Sequence, residues 1–111
     1  MSMVYTRDLR KKAKNRKTNE KRQFVKDIKN AVKWNLPRLE HDTITMENVS
    51  REMVVKLLRL DKVAMKTDPE GKHAMQTLIA SGYVLRPVRR FGREFFRRDD
   101  LVQSLKAYVG A

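Results

Sequence analysis

Four stretches of the chain repeat apolar residues at helical spacing, and turn-forming residues fill the gaps between them. In the first, Phe24, Ile28, Ala31, Val32 and Asn35 fall on one stripe. Thr18 or Asn19 can cap this helix, and Pro37, which has no amide to donate, predicts its end at about Leu36. The second begins at Met46 or Asn48. Met46, Val49, Met53, Leu57 and Leu60 keep the period, Val54 and Leu58 widen the face, and the helix is expected to be buried. The third opens with Asp68, Pro69 and Glu70: a carboxylate for orphan amides, a proline suited to the first helical position, and an acid against the positive end of the dipole. Ala74, Met75, Leu78 and Ile79 form its inner face, and Gly82 supplies the left-handed residue that ends it near Ser81. Asp99 and Asp100 start the fourth, in which Leu101, Val102, Leu105, Tyr108 and Val109 share a face. That stripe packs either on the first helix or on a second copy of the chain, a possible homodimer.

The intervening segments predict short extended structure. Thr43-Ile44-Thr45 is β-prone and suited to a small strand, and Leu60–Lys66 to a short extra helix. Residues 83–98 are two apolar-basic runs pivoting near Gly92, a β-hairpin whose first run Pro87 makes either an edge strand or irregular at that point. Phe95 and Phe96 point to opposite faces of such a strand, so at most one belongs to the core. Trp34 is expected to pack in the core or against another helix rather than to stack on a base, and Met46, Met53 and Met65 to fill gaps in the core. The fold class is therefore mainly α with a small β-hairpin, α+β, in one domain over residues 18–111.

Charge sharpens this picture. The 111 residues carry a formal charge of +13, which favours a polyanionic partner. Residues 1–40 hold 13 Lys or Arg against 4 acids, residues 41–82 hold 6 against 6, and residues 83–111 hold 7 against 3. The surplus thus lies at the two ends. Residues 1–17, with Arg7, Arg10, Lys11, Lys12, Lys14, Arg16 and Lys17, predict a flexible basic arm that gains affinity by releasing counterions from phosphates. Arg22, Lys26, Lys29 and Lys33 continue that charge along the first helix, opposite its apolar stripe. On the third helix, Lys72, His73, Gln76 and Thr77 occupy the polar face as donors and acceptors suited to base edges and phosphates. Arg89, Arg90 and Arg93 at the hairpin tip suit a phosphate backbone or a minor groove.

In its order of helix, loop, helix, glycine and basic hairpin, the chain from Thr18 to Arg98 resembles the winged helix-turn-helix superfamily of DNA-binding domains. The resemblance rests on element order and charge placement rather than on a sequence signature, and it transfers no site residues. It departs from the usual tight turn, since Lys72 lies 14 positions after Leu58; residues 60–66 are either an added helix or the second helix of the motif. The implied function is double-stranded DNA binding by a small transcriptional regulator or architectural accessory factor. The alternatives are an RNA- or ribosome-associated binder, using the arm and the Phe-rich hairpin, and a module for an acidic protein partner.

Catalytic chemistry finds no support. The chain has no Gly-rich phosphate loop, Ser-His-Asp arrangement, HExxH or cysteine, and Asp61, Asp68 and Glu70 are better explained by capping and turns than by a metal. No enzyme activity, cofactor or metal is expected. No apolar run approaches the roughly 18 residues of a membrane span, and the N-terminus lacks an apolar signal core, so a cytoplasmic location without membrane contact is expected, nucleoid-associated if the source is bacterial or viral.

Overall fold

The computed structural model describes the backbone of residues 2–84 and 86–110 and the side chains of residues 20–84 and 86–110. Along the chain run α1 (Ser2–Asp42), β1 (Asn48–Ser50), α2 (Arg51–Leu58), a 3-10 turn (Leu60–Lys62), α3 (Lys72–Ala80), β2 (Val88–Arg90), β3 (Arg93–Arg97) and α4 (Arg98–Gly110). The architecture is α+β, mainly helical, with one three-stranded antiparallel sheet. No helix among the described residues is long and apolar enough to cross a membrane.

Helix α1 exceeds its expected bounds at both ends. Its helical backbone starts at Ser2, so neither Thr18 nor Asn19 caps it. The contacts expected of Arg10, Lys11, Lys12, Lys14, Arg16 and Lys17 lie outside the described side chains, while the backbone of residues 2–17, expected to be a flexible arm, is helical and continuous with the rest of α1. At the other end α1 runs through Pro37 to Asp42. Pro37 and Lys33, the residue whose carbonyl loses its amide partner, are both exposed, so water can satisfy that carbonyl. Continuing the helix also brings Leu39 into full burial beside Leu36. The carbonyls at the end of α1 find a cation. Arg98 Nη2 donates to the Glu40 carbonyl at 2.8 Å and Arg98 Nε to Thr43 Oγ1 at 3.3 Å, while Thr43 Oγ1 donates to the Leu39 carbonyl at 2.6 Å. Arg98 thereby ties the start of α4 to the end of α1.

The core gathers Ile28, Val32, Leu36 and Leu39 of α1 against Val54 and Leu58 of α2, Met75 and Leu78 of α3, and Leu101 and Leu105 of α4. Phe24 and Ala31 flank it half-buried, and Asn35 uses its amide instead, donating to the Ala31 carbonyl at 2.7 Å and the Leu58 carbonyl at 3.1 Å. Trp34 contradicts its expected core role and is 80% exposed. It lies two residues from both Val32 and Leu36, about 200° around the helix from each, which points it to solvent. The methionine expectation also fails in part. Met53 and Met65 are exposed, whereas Met75, on the third helical stripe, is fully buried. The stripe of α4 packs on α1 within the monomer, with Lys106 Nζ 2.8 Å from Glu40 Oε1 at the edge of the contact.

The strand expected at Thr43-Ile44-Thr45 forms at Asn48–Ser50 instead. Residues 43–45 are consumed in turning out of the lengthened α1, leaving Ile44 exposed, and Val49 is the residue that is buried opposite Phe96. Helix α2 accordingly begins later than predicted, with Ser50 as its N-cap: its hydroxyl accepts from the Met53 amide at 3.2 Å. The helix ends at Arg59 in the left-handed region rather than at Leu60. Residues 60–66 supply only a single 3-10 turn, not an added helix. In the sheet β3 is central, between β1 and β2, so β2 is the edge strand that Pro87 immediately precedes.

Candidate nucleic-acid interface

Helix α3 begins three residues later than its start signal, at Lys72, yet Asp68 still caps it. The buried carboxylate accepts from the His73 amide at 3.1 Å through Oδ1 and from the Ala74 amide at 2.9 Å through Oδ2. Pro69 and Glu70 form a turn rather than the first helical residues, and the chain enters the helix through Gly71 at φ 69°. Only glycine fits. A Cβ at position 71 would stand 2.7 Å from Val55 Cγ1 and 2.8 Å from the Asp61 amide nitrogen. The long loop after α2 thus ends in a close backbone crossing that sets α3 against the 3-10 turn.

Ala74, Met75 and Leu78 turn inward, leaving Lys72, His73 and Gln76 exposed and Thr77 half-buried. The four residues of this polar face are not equivalent. His73 stacks on Phe24 of α1, with ring centroids 5.1 Å apart and planes 19° apart. Thr77 Oγ1 donates to the His73 carbonyl at 2.9 Å, back into its own helix. Lys72 Nζ lies 2.9 Å from Glu70 Oε2; the hydrogen bond, and then the charge of Glu70, hold its ammonium above the ordinary lysine range. Gln76 is exposed, and its side chain has no hydrogen-bond partner among the described residues.

The Phe24–His73 stack joins the basic first helix to α3. Arg22, Lys26 and Lys33 are exposed on α1, while Lys29 is half-buried and partnered. A cleft of about 400 Å³ links the start of α3 to the start of α2, with Lys72, Glu70 and Arg51 among its walls. Arg51 Nη1 in turn donates to Glu94 Oε2 of β3 at 2.7 Å, and Glu94 stands opposite Arg89 of β2. Lys72, Arg51 and Arg89 thus alternate with Glu70 and Glu94, and Glu52 and Asp61 also line the cleft, so this edge is of mixed charge. Arg51 was not among the residues expected from the sequence; its position just after the cap Ser50 is the signal that would have placed it at a helix start.

The hairpin turns through two residues, Phe91 and Gly92, both at positive φ (53° and 75°), the pattern of a type I′ turn. Its register separates the three arginines that the sequence groups together. Val88 faces Phe95 and Arg90 faces Arg93, so Arg90, Arg93, Phe95 and Arg97 occupy the outer face of the sheet. Arg89 lies on the opposite face with Glu94 and the buried Phe96. Arg97 is exposed and joins the outer set, a residue legible only once strand alternation is referred to the turn.

No protein-family model, curated protein or solved structure matches this chain.

Proposed function

We propose that the chain is a non-enzymatic double-stranded DNA-binding protein of the winged helix type, with α3 as the helix that enters the major groove and β2–β3 as the wing. The observation that carries this reading is topological. A helix, strand, helix, helix and hairpin follow one another, the returning hairpin strand β3 pairs with β1, and α3, packed on the 3-10 turn and α1, keeps one polar face outward. Gln76 on that face is uncommitted and of the type that pairs with adenine through two hydrogen bonds. Lys72, Arg51 and Arg89 continue from the start of α3 to the wing, suited to phosphates along one groove edge. The surplus charge of the N-terminal segment would add sequence-independent affinity. A role as a small transcriptional regulator or an architectural accessory factor follows, in the cytoplasm. The apolar stripe of α4 is spent inside the chain, so pairing of two copies on DNA would use a different surface.

The reading is tested by selecting bound sequences from a random duplex pool, with structured RNA of equal length as competitor. Enrichment of a duplex motif of a few base pairs is the expected result. Retention of RNA in preference to every duplex moves the assignment to an RNA binder.

A further inference from the structure

The hairpin tip combines three locally unfavourable choices. Phe91 is completely exposed, at 102% relative exposure. It holds a left-handed φ of 53° at a turn position that favours Asn, Asp or Gly. On either side of it Arg90 and Arg93 stand directly opposite each other, where like charges repel. Nothing in the fold requires an aromatic there. Such choices cluster where a ligand supplies the compensation. A ligand compensating all three must be anionic at the flanks of the tip and offer a flat apolar face at its apex.

We propose that Phe91 is a wedge, inserted from the minor groove between two stacked base pairs of duplex DNA while Arg90 and Arg93 hold the phosphates on either side. This inference rests on the duplex-binding reading above and adds deformation of the DNA to it. A single ring buries only about 150–250 Å², far below the roughly 800 Å² per partner of a stable protein interface. A base step, by contrast, accepts one side chain. The minor groove, about 6 Å wide, is too narrow for a two-stranded ribbon with its side chains, so only the tip of the hairpin reaches in, with Phe91 leading. Val88 and Phe95 on the outer face, the first exposed and the second half-buried, extend the apolar surface behind the tip. Wedging of this kind unstacks one step, kinks the duplex toward the major groove and favours pyrimidine–purine steps, which open with least resistance.

The test uses the full chain and a short duplex with 2-aminopurine beside a central TA step and a fluorophore pair at its ends. Wild type is expected to raise the 2-aminopurine emission severalfold and to shorten the end-to-end distance on binding. Phe91→Ala should abolish both signals while keeping salt-dependent binding within about 20-fold, and Phe91→Leu should restore part of each. Phe91→Asn relieves the backbone strain, so its melting temperature should rise by roughly 2–6 °C even as both signals disappear. Binding of wild type without either signal, or equal signals from wild type and Phe91→Ala, overturns the wedge and leaves duplex binding standing. Absence of any salt-dependent binding to duplex by wild type overturns the duplex-binding reading itself. Emission changes confined to single-stranded DNA or RNA overturn the wedge as well.

Discussion

Gly71 shows how one residue sets the position of a functional surface. It combines a positive φ with backbone of the 3-10 turn and the Val55 side chain at distances no Cβ tolerates. Gly71→Ala should therefore cost about 2–4 kcal/mol, from overpacking together with left-handed strain; urea unfolding with an unchanged m-value checks it, and a loss under 1 kcal/mol would show that the crossing relaxes. In the sequence Gly71 looks like an interior helical residue, because Asp68 and Pro69 signal a start before it. The signal was correct about the carboxylate, which does bond the first amides, but not about where the helix begins. Trp34 fails for a comparable reason. Its size argues for burial, while its angular position relative to Val32 and Leu36 decides for solvent.

At the level of elements, α3 and the wing make separable contributions. Gln76→Ala should leave stability within about 0.5 kcal/mol, since the side chain is exposed, yet cost about 1–3 kcal/mol on the selected duplex. Titration against selected and scrambled duplexes distinguishes the outcomes, and equal affinities for both before and after mutation would remove α3 from base readout. His73 and Thr77, engaged with Phe24 and the helix backbone, should contribute less to readout than Gln76. For the wing, Arg90→Ala with Arg93→Ala should flatten the dependence of log affinity on log salt by about 0.9 per lost phosphate contact, with specificity unchanged. Arg89→Ala separates from this pair because Arg89 sits across from Glu94 on the other face. Its smaller effect on the salt slope is measured in the same titration; equal slopes for single and double variants would mean that the register does not divide the wing. Alternation along the two runs was legible in the sequence. The phase of that alternation was not, because it depends on which two residues make the turn.

Across the whole molecule, the described core begins at Phe24, so removal of residues 1–17 should leave the melting temperature nearly unchanged while lowering general affinity and the salt slope. Thermal unfolding and duplex titration of the truncated chain check this, and cooperative destabilisation would mean that the segment packs on the domain. Taken alone, the sequence determined what is local: the apolar stripes of α1, α3 and α4, the capping role of Asp68, the left-handed Gly82 and the basic hairpin are written in residue type and spacing. Tertiary structure decided what depends on distant partners. Proline ends an isolated helix, but burial of Leu39 and the Arg98 guanidinium on the end of α1 outweigh that local cost and carry the helix to Asp42. The β-prone Thr43-Ile44-Thr45 loses its strand to Asn48–Ser50 because only Val49 meets Phe96. Arg51 meets Glu94 across 43 positions of chain, and no local pattern encodes that distance, since strand pairing and helix packing are fixed by burial of the whole core rather than by either residue's neighbours.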